Sequence, residues 1–411
     1  MSSPQITTPV TIPGPVELAS LWHQEPGFAW LDSSSGEPGE LTILGYHPDL
    51  ILEGTSDEWH LLERELKQRE RNSSGDALPN GAAIGYFRFD GSYRFGFYDT
   101  IFLHTSAGWI GKAPFRNWDV GTVVGLSHQQ SPPHFLPEMD CEEYLRMVRA
   151  AQEYVAAGDV YQVCLAHRFS APFSEDPWLL YLSLREASPA PHAAHLRLGD
   201  EIVLSSSPEC FLKMSGRKIL TRPIKGTRPR RYDPSEDEHQ ALELITSPKE
   251  IAELVMITDL ERNDLGSVCE FGSVTATQLL QLERYAQVFH LVSTVEGELR
   301  PEISQVEALA ACFPGGSISG APKKRALEII RELEPVSRGL FTGAIGYFGY
   351  NGESQFNIAI RTVVVREGRA EFHVGAGITA DSIPEKEWEE TLHKAAGILQ
   401  AAAKGNSSPY P

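Results

Sequence analysis

The amino-acid sequence predicts an α+β protein. Short aromatic and apolar runs broken by glycine, serine and proline occupy residues 28–52 and 82–124, a pattern typical of β-strands. Amphipathic segments with start and stop signals follow, and residues 141–157, with Gly158 as a stop, form the plainest of them. Strand-like runs return between these segments, so helices and strands are mixed along the chain.

The first third of the chain is predicted to hold a short helix, a hairpin-like pair of strands, a second helix and a group of aromatic-rich strands. The ranges are 16–22, 28–52 with a break at 33–39, 58–71, and 82–124. The best candidate for a linker is Gln-Gln-Ser-Pro-Pro-His at 129–134. We therefore expect an N-terminal strand-rich region, 1–135, and a main body, 136–405.

In the main body, a strand is predicted at 159–169 and a helix at 178–186. Two strands should follow, one ending at Ser-Ser-Ser-Pro-Glu (205–209) and one at Arg-Pro-Ile-Lys (222–225). Glu209 and Lys225 would then lie at the ends of neighbouring strands, which is a common place for catalytic groups.

Composition limits the class of function. With 411 residues, 41% hydrophobic and 22% charged, the chain has the composition of a soluble globular protein. A net charge of −19 repels polyphosphate, so nucleic acid is not an expected partner. The five cysteines are scattered and never in a CxxC spacing, as in reduced cytoplasmic proteins. No secretion signal or membrane span is predicted, and we expect a cytoplasmic location.

Residues 222–228, Arg-Pro-Ile-Lys-Gly-Thr-Arg, form the most unusual stretch of the chain. Pro223 fixes the backbone before Lys225, and Gly226 leaves room for a ligand after it. Positive charge from the neighbouring arginines should disfavour the ammonium form of Lys225, which predicts an amine able to act as nucleophile or base near neutral pH. On this stretch alone, a solvated basic loop is the simpler interpretation.

The stretch 247–250, Ser-Pro-Lys-Glu, predicts the start of a helix, because it combines proline at the first helical position with a Ser-x-x-Glu capping box. The helix should end near Asn263 or Gly266. Glu253 lies one turn in, on a nearly all-apolar segment, where a carboxylate needs an arginine, a metal or a substrate proton as partner. A glutamate on the exposed stripe of a surface helix fits the pattern equally well.

A glycine- and serine-rich turn at 313–325 leads into another predicted helix, and such a turn suits an anion. It lacks the Lys and Ser or Thr of a Walker A loop, which disfavours a nucleotide triphosphate, and a plain helix cap is the alternative. Residues 375–380 fit a GxGxxA fingerprint only superficially, because no βαβ unit can follow them.

The last predicted helix carries Glu387 and Glu390, three residues apart and therefore on one face. Two glutamates at this spacing are more often solvated than functional. With Glu253 as a third carboxylate they could hold a hard divalent ion such as Mg²⁺, which takes oxygen ligands and keeps several waters.

Seven motifs carry a resemblance to a known family. In order, they are SSSPE (205–209), PIKGT (223–227), ELVMITDLERNDLG (253–266), FHLVSTVEG (289–297), GGSISGAPK (315–323), IAIRT (358–362) and VGAGITADS (374–382). Together they resemble the chorismate-utilising enzymes, the family of anthranilate, aminodeoxychorismate, isochorismate and salicylate synthases. The resemblance covers about residues 140 to 402.

The resemblance implies two large antiparallel β-sheets packed face to face with helices outside, and a site between them for chorismate and one Mg²⁺. By motif, Glu253 and Glu390 would be metal ligands, with Glu387 nearby. Glu209 would be the general acid that protonates the departing C4 hydroxyl. The same resemblance implies a substrate pocket that includes Arg361, the backbone at Gly377, Thr227, His290, Ser317 and Lys323.

Two positions separate the members of this family. Water-using members have a lysine base where this chain has Gln162, and a glutamine cannot activate water, so we place Gln162 in the substrate pocket instead. Anthranilate synthases typically have Pro-Ile-Ala-Gly-Thr where this chain has Lys225. The resemblance thus implies that Lys225 attacks C2 and that ammonia then replaces it at C4. The product would be 4-amino-4-deoxychorismate, a precursor of 4-aminobenzoate and folate; anthranilate formation is the alternative.

The source of ammonia is a separate question. No segment has a cysteine in the Gly-x-Cys-x-Gly setting of a glutaminase nucleophile. We therefore expect ammonia to come from solution or from a separate glutaminase subunit.

Overall fold

The structure is a computed structural model that describes residues 13–34, 41–72, 77–110, 132–285 and 288–404. The α-helices in these ranges are α1 (Pro15–Trp22), α2 (Trp59–Gln68), α3 (Cys141–Ala157), α4 (Pro177–Ala187), α5 (Pro234–Ile245), α6 (Pro248–Gly266), α7 (Gln305–Cys312), α8 (Lys323–Leu333) and α9 (Pro384–Lys404).

The β-strands, in chain order, are β1 (Phe28–Asp32), β2 (Thr42–Gly45), β3 (Leu50–Gly54), β4 (Ala82–Phe87), β5 (Tyr93–Tyr98), β6 (Phe102–Thr105), β7 (Gly108–Ile110), β8 (Leu136–Pro137), β9 (Gln162–Pro172), β10 (His192–Leu198), β11 (Glu201–Ser207), β12 (Cys210–Ser215), β13 (Lys218–Arg222), β14 (Ile224–Pro229), β15 (Thr275–Arg284), β16 (Val288–Glu298), β17 (Gly320–Ala321), β18 (Ala344–Gly349), β19 (Glu353–Ile358), β20 (Thr362–Arg366) and β21 (Arg369–Ile378).

These strands form two large antiparallel sheets. The first has the order β17-β9-β21-β20-β11-β10-β1-β2-β6-β7, with β8 also paired to β9. The second has the order β14-β16-β13-β12-β19-β18-β4-β5-β3, with β15 also paired to β16. The prediction of an α+β fold with two antiparallel sheets is confirmed.

Strands from the first 135 residues extend both sheets. In the first sheet β1 pairs with β10, where Trp30 lies opposite His195. In the second sheet β4 pairs with β18, where Tyr86 lies opposite Ile345. The two sheets therefore run across the predicted boundary at residue 135, and the division into an N-terminal region and a main body stays a prediction.

Helix boundaries follow the capping signals in the sequence. Helix α3 begins after Asp140, whose carboxylate accepts a hydrogen bond from the Glu143 N–H, and ends at Gly158, whose φ of 82° suits glycine. Helix α6 begins at Pro248, and the Ser247 hydroxyl accepts the Glu250 N–H at 3.4 Å. The predicted helices at 16–22, 58–71, 141–157 and 178–186 and the helix start at 248 are confirmed within a few residues.

The prediction for the two strand ends near Glu209 and Lys225 needs correction. Glu209 lies in the turn between β11 and β12, and Lys225 is the second residue of β14 rather than the last of a strand. Pro223 explains the break, because proline lacks the N–H that a sheet ladder needs, so β13 ends at Arg222 and a new strand begins at Ile224.

Some predictions lie wholly or partly outside the described residues. These are the break at 33–39, the later part of the strand range 82–124, and the first part of the linker at 129–134.

A buried apolar cluster lies between the two sheets. Ala29 and Leu196 contribute to it from the first sheet, and Ile84 and Ile345 from the second. Other clusters pack the helices against the outer faces, with α1, α4 and α9 on the first sheet and α2, α6 and α7 on the second. Face-to-face sheets with helices outside are therefore the observed architecture. Among the described helices, none combines the length and apolar character needed to cross a membrane.

The core between the sheets leads to a stability prediction. Leu196 is fully buried there, so Leu196→Ala should lower the free energy of unfolding by about 2–5 kcal/mol, because it removes buried surface and leaves a cavity. Urea denaturation followed by circular dichroism measures this change. Leu242→Ala is the matched control, since Leu242 is 54% exposed on α5, and it should change stability by no more than about 0.5 kcal/mol. Equal effects would contradict the assigned core.

Candidate active site

Several predicted residues meet where β14 faces helices α6 and α9 and the turn 315–318. The Lys225 ammonium donates a hydrogen bond to the backbone carbonyl of Ser317 at 3.3 Å. Glu253 on α6, Glu209 after β11 and Glu390 on α9 all lie near enough to act electrostatically on Lys225. Five of the residues named from the sequence thus share one site, although they come from five separate elements of the fold.

The electrostatic setting of Lys225 is the reverse of the one predicted. Burial favours the neutral amine, but Cys164, Glu253, Glu209 and Glu390 surround the ammonium, and together they raise the pKa of Lys225 above its usual value. The expectation of a lysine crowded by positive charge was therefore wrong.

The neighbouring arginines explain this error, because each is held by a carboxylate of its own. The pairs are Arg222 with Glu283, Arg228 with Glu243 at 3.1 Å, and Arg230 with Asp237 at 2.9 Å. An arginine neutralised in this way exerts little repulsion on a lysine nearby. The solvated basic loop is also excluded, since Lys225 faces a buried cluster of acids.

Glu209 lies in an environment that favours the protonated form of its carboxyl group. Glu209 is 6% exposed. Burial raises the pKa of its carboxyl group, although Ser317 and Lys225 oppose the shift. The backbone of Glu209 is fixed on both sides, because its carbonyl accepts from the Ile358 N–H at 3.1 Å and its N–H reaches the Ser207 hydroxyl at 3.4 Å. A buried acid at a fixed position can donate a proton to a bound ligand.

The three other carboxylates lie on facing helices. Burial raises the pKa of Glu253 on α6 and of Glu387 on α9, and Glu387 is 3% exposed. Burial acts in the same direction on Glu390, but its ion pair with Lys394 at 2.7 Å outweighs that effect and lowers the pKa of Glu390.

A second lysine joins the two helices. The Lys249 ammonium on α6 is 3.9 Å from Glu253 Oε1 and 4.0 Å from Glu387 Oε1. The carboxylates thus surround a position that already attracts a cation.

The fit of these carboxylates to Mg²⁺ can be judged from their chemistry. No three His, Cys, Asp or Glu side chains within the described ranges are arranged to hold a metal by themselves. However, Glu387 Oε2 is buried with no hydrogen-bond partner among the described residues, and the donors are all carboxylate oxygens. Mg²⁺ commonly takes one or two carboxylates and completes its shell with water and substrate oxygens. The residues fit such an incomplete site.

His290 and Thr227 form the edge of the same region on paired strands β14 and β16. The Thr227 hydroxyl and His290 Nδ1 are 3.0 Å apart. Burial, together with the nearby charge of Arg361, lowers the pKa of His290 to about 4, so the imidazole is neutral near pH 7. A neutral imidazole can hydrogen-bond a polar ligand without adding charge.

Arg361 combines a strained backbone with a guanidinium that lacks a partner. Its φ of 50° lies in the left-handed region, which is uncommon for a residue with a side chain. Its guanidinium forms no ion pair or hydrogen bond with the described residues, and burial lowers the pKa of Arg361 although Glu209 opposes this. A desolvated, unpaired guanidinium is suited to bind a carboxylate.

Gln162 and Gly377 form another polar surface on adjacent strands β9 and β21. Gln162 is fully buried, and neither end of its amide has a hydrogen-bond partner among the described residues. A Cβ at position 377 would lie 2.2 Å from Gln162 Nε2, so a side chain there would displace the amide. Gly377 therefore leaves room for the Gln162 amide, which is free to bond a ligand.

Lys323 is placed differently from the other predicted residues. Its ammonium donates to Asp264 Oδ2 at 2.5 Å and to the Cys312 carbonyl at 2.8 Å. These contacts tie the start of α8 to the end of α6. The predicted role of Lys323 in the substrate pocket stays a prediction.

Sequence reasoning missed four residues near the site. Lys249 and Lys394 could have been found, because each lies four residues from a predicted carboxylate on the same helix. Cys164, whose thiol is 3.6 Å from the Ser317 carbonyl, was given no role, because the five cysteines are scattered along the sequence. Glu261 is buried, accepts the Thr221 hydroxyl at 2.7 Å, and has a pKa raised by burial to about 8. Nothing in its local sequence distinguishes it.

A family model supports this assembly. Residues 119–400 match the family described as chorismate binding enzyme. The chain therefore belongs to the chorismate binding enzyme family.

Curated relatives extend the comparison to particular members. The chain is 47% identical over 267 residues to anthranilate synthase component 1 of Thermus thermophilus, and the aligned region covers 65% of this chain and 58% of the relative. It is 46% identical over 258 residues to aminodeoxychorismate synthase component 1 of Bacillus subtilis, and here the aligned region covers 63% of this chain and 55% of the relative. The chain thus matches little more than half the length of these relatives.

A solved structure has the same fold. Anthranilate synthase component I from Streptococcus pneumoniae aligns with a TM-score of 0.76 at 28% identity, over 88% of this chain and 92% of that one. The two large antiparallel sheets with helices are thus the fold of this family.

The neutral state of His290 can be tested by titration. Its pKa is lowered from the ordinary 6.5 to about 4 by burial, so its Cε1 proton resonance should stay constant between about pH 6 and 8. In the denatured chain the same resonance should titrate near 6.5. Because the folded pKa is the lower one, the stability that His290 contributes is present above the unfolded value and is lost as the pH falls toward 4. A folded-state midpoint near 6.5 would contradict the assigned burial.

Proposed function

We propose that the chain is component I of an aminodeoxychorismate synthase, which converts chorismate and ammonia into 4-amino-4-deoxychorismate and water. The observation that carries this proposal is the position of Lys225 beside the buried acid Glu209 and the carboxylates Glu253 and Glu390. An amine at this point can serve as a nucleophile next to a proton donor. The Bacillus subtilis relative of that name supports the choice.

In the first half of the reaction, the Lys225 ammonium first releases a proton to water. The free amine then forms a bond to C2 of chorismate while the ring double bond shifts and the C4–oxygen bond breaks. Glu209 gives its proton to the departing hydroxyl, which leaves as water instead of hydroxide, a poor leaving group. The products of this half are a covalent Lys225 adduct and an ionised Glu209.

In the second half, ammonia forms a bond to C4, the double bond shifts back, and the bond between C2 and the Lys225 nitrogen breaks. Lys225 leaves as a neutral amine and takes a proton back from water, and the new C4 ammonium loses one proton to Glu209. Both residues return to their starting forms, so the sum is replacement of the C4 hydroxyl by an amino group.

Other side chains would hold the substrate. Arg361, with its unpaired guanidinium, and the backbone at Gly377 would bind one substrate carboxylate. Glu253 and Glu390, with Glu387 beside them, would hold Mg²⁺. A bound Mg²⁺ would neutralise a ring carboxylate of chorismate.

Gln162 favours an amine over water as the attacking group. An amide has no basic atom with which to deprotonate water, so hydroxylation of the ring by an activated water is disfavoured at this position. The relatives are named as component 1, and from this we infer that ammonia comes from a separate glutaminase subunit.

The second candidate is anthranilate synthase component I, which would form anthranilate and pyruvate from chorismate. The Thermus thermophilus relative and the Streptococcus pneumoniae structure carry that name and favour it. The two candidates share the acid, the carboxylates and the ammonia, and they differ in whether Lys225 takes part in the reaction.

A product assay separates the two candidates. The purified chain is incubated with chorismate, Mg²⁺ and an ammonium salt. We expect no fluorescent anthranilate, and 4-aminobenzoate only after a lyase is added. Lys225→Ala should abolish this product, because the adduct cannot form, while Lys213→Ala, at an exposed position on β12, should leave it unchanged. Anthranilate as the main wild-type product, or full activity of Lys225→Ala, would overturn the proposal.

The role of Glu209 leads to a separate prediction. Glu209→Gln keeps the size of the side chain but cannot donate a carboxyl proton, so kcat should fall by about 10²–10⁴-fold. Glu296→Gln, at an exposed position on β16, controls for the loss of one carboxylate. Steady-state kinetics with saturating ammonia measures both variants. An unchanged kcat for Glu209→Gln would remove this residue from the proton transfer.

A further inference from the structure

Lys249 lies where two elements of the predicted cation site meet. It belongs to the first turn of α6, four residues before Glu253, and its ammonium is within 4.0 Å of carboxylate oxygens of both Glu253 on α6 and Glu387 on α9. No sequence motif placed Lys249 in the site, and the reaction described above does not use it.

We propose that Lys249 is a positioning residue, an internal counter-ion that joins α6 to α9 and competes with the divalent cation for Glu253 and Glu387. This inference rests on the cation site of the proposed function. It adds a residue that tunes how tightly that site holds its ion.

The contacts of Lys249 are those of a group that can be displaced. The Lys249 ammonium forms two ion pairs, at 3.9 and 4.0 Å, which are too long to be short hydrogen bonds. Its side chain is flexible and 55% exposed. Lys394 is different, because its ammonium is 2.7 Å from Glu390 and donates to the Gly375 carbonyl at 2.8 Å. Of these two lysines, Lys249 is therefore the one that can turn outward into solvent.

The local charges explain why a counter-ion is needed. Glu253, Glu387 and Glu390 lie close enough to repel one another, since Glu390 acts unfavourably on both other carboxylates. Glu250 adds to the negative charge around Glu253. The facing cations are Lys225, Lys249 and Lys394. Removing any one of them leaves less positive charge to compensate the buried carboxylates.

Loss of the Lys249 ammonium should have two consequences, and a residue with only a structural role would not produce both. Without the Lys249 ammonium, repulsion between the helices should lower the stability of the protein before cation is added. The same loss should strengthen cation binding, because the ion no longer competes with a neighbouring positive charge. For a partly exposed pair, this effect should be on the order of tenfold in Kd.

The test uses Mn²⁺ alone as the probe, with free Mn²⁺ measured by electron paramagnetic resonance at fixed ionic strength. Lys249→Gln should bind Mn²⁺ about tenfold more tightly than the wild type, and in EDTA its Tm should be lower. Lys386→Gln is the matched control, since Lys386 is exposed on α9 and makes no ion pair with a described residue. It should change neither value. Lys249→Arg, which keeps the charge, should behave like the wild type.

Each other result overturns the inference. Weaker or unchanged Mn²⁺ binding by Lys249→Gln would mean that the ammonium supports the site or does not compete for it. A wild type that binds no Mn²⁺ would remove the competition altogether. Neither result concerns the identity of the product, so the chorismate assay of the wild type still decides the proposed function independently.

Discussion

Carboxylates buried away from water need positive charge close by, and this requirement governs the arrangement of the candidate site. Glu209, Glu253, Glu387 and Glu390 lie in one region, and lysines from β14, α6 and α9 compensate them. An isolated ionised carboxylate in a protein interior is costly, so each acid is either paired with a lysine or has a raised pKa. The site is therefore an electrostatic unit rather than a list of separate residues.

The two sheets make this unit possible. Glu209 follows β11 of the first sheet, whereas Lys225 lies on β14 of the second, and the turn 315–318 contacts both. Helices α6 and α9 then bring Glu253 and Glu387 to the same place from positions more than a hundred residues apart. Because rigid strands and long helices hold these groups, their relative positions are set by the packing of the whole protein.

Local patterns predicted much of the secondary structure, and the ordered motifs predicted the architecture through the family they resemble. Helix α6 carries a start signal and helix α3 a stop signal that depend on a few adjacent residues, so these two boundaries could be placed. The joining of β1 to β10 and of β4 to β18 could not be derived in this way. Strand pairing at such separations depends on tertiary packing, which a local alternation of apolar residues does not encode.

The same limit applied to the charge of Lys225. Arg222 is neutralised by Glu283, which lies 61 residues away in the sequence. Only the fold reveals a pair at this separation. The lysines at i and i+4 from Glu253 and Glu390 were accessible to sequence reasoning, because a helix brings those positions together. Long-range pairs thus reversed the predicted pKa shift, whereas short-range pairs could have completed the site.

Gln162 shows how an unfavourable feature of the fold can indicate a ligand. A buried amide with both ends unpaired costs about 1–3 kcal/mol for each group left without a partner, whereas an apolar side chain of similar size would avoid that cost. Gly377 keeps space for this amide, since any side chain there would collide with it. The pairing of a costly amide with a glycine that makes room for it is best explained by a polar ligand, which restores the missing hydrogen bonds. Lys225 and Gln162 therefore differ in kind from the shared carboxylates. The acids fit a site of the chorismate binding enzyme family in general, whereas an amine as the attacking group is the part of the proposed function that rests on these two residues.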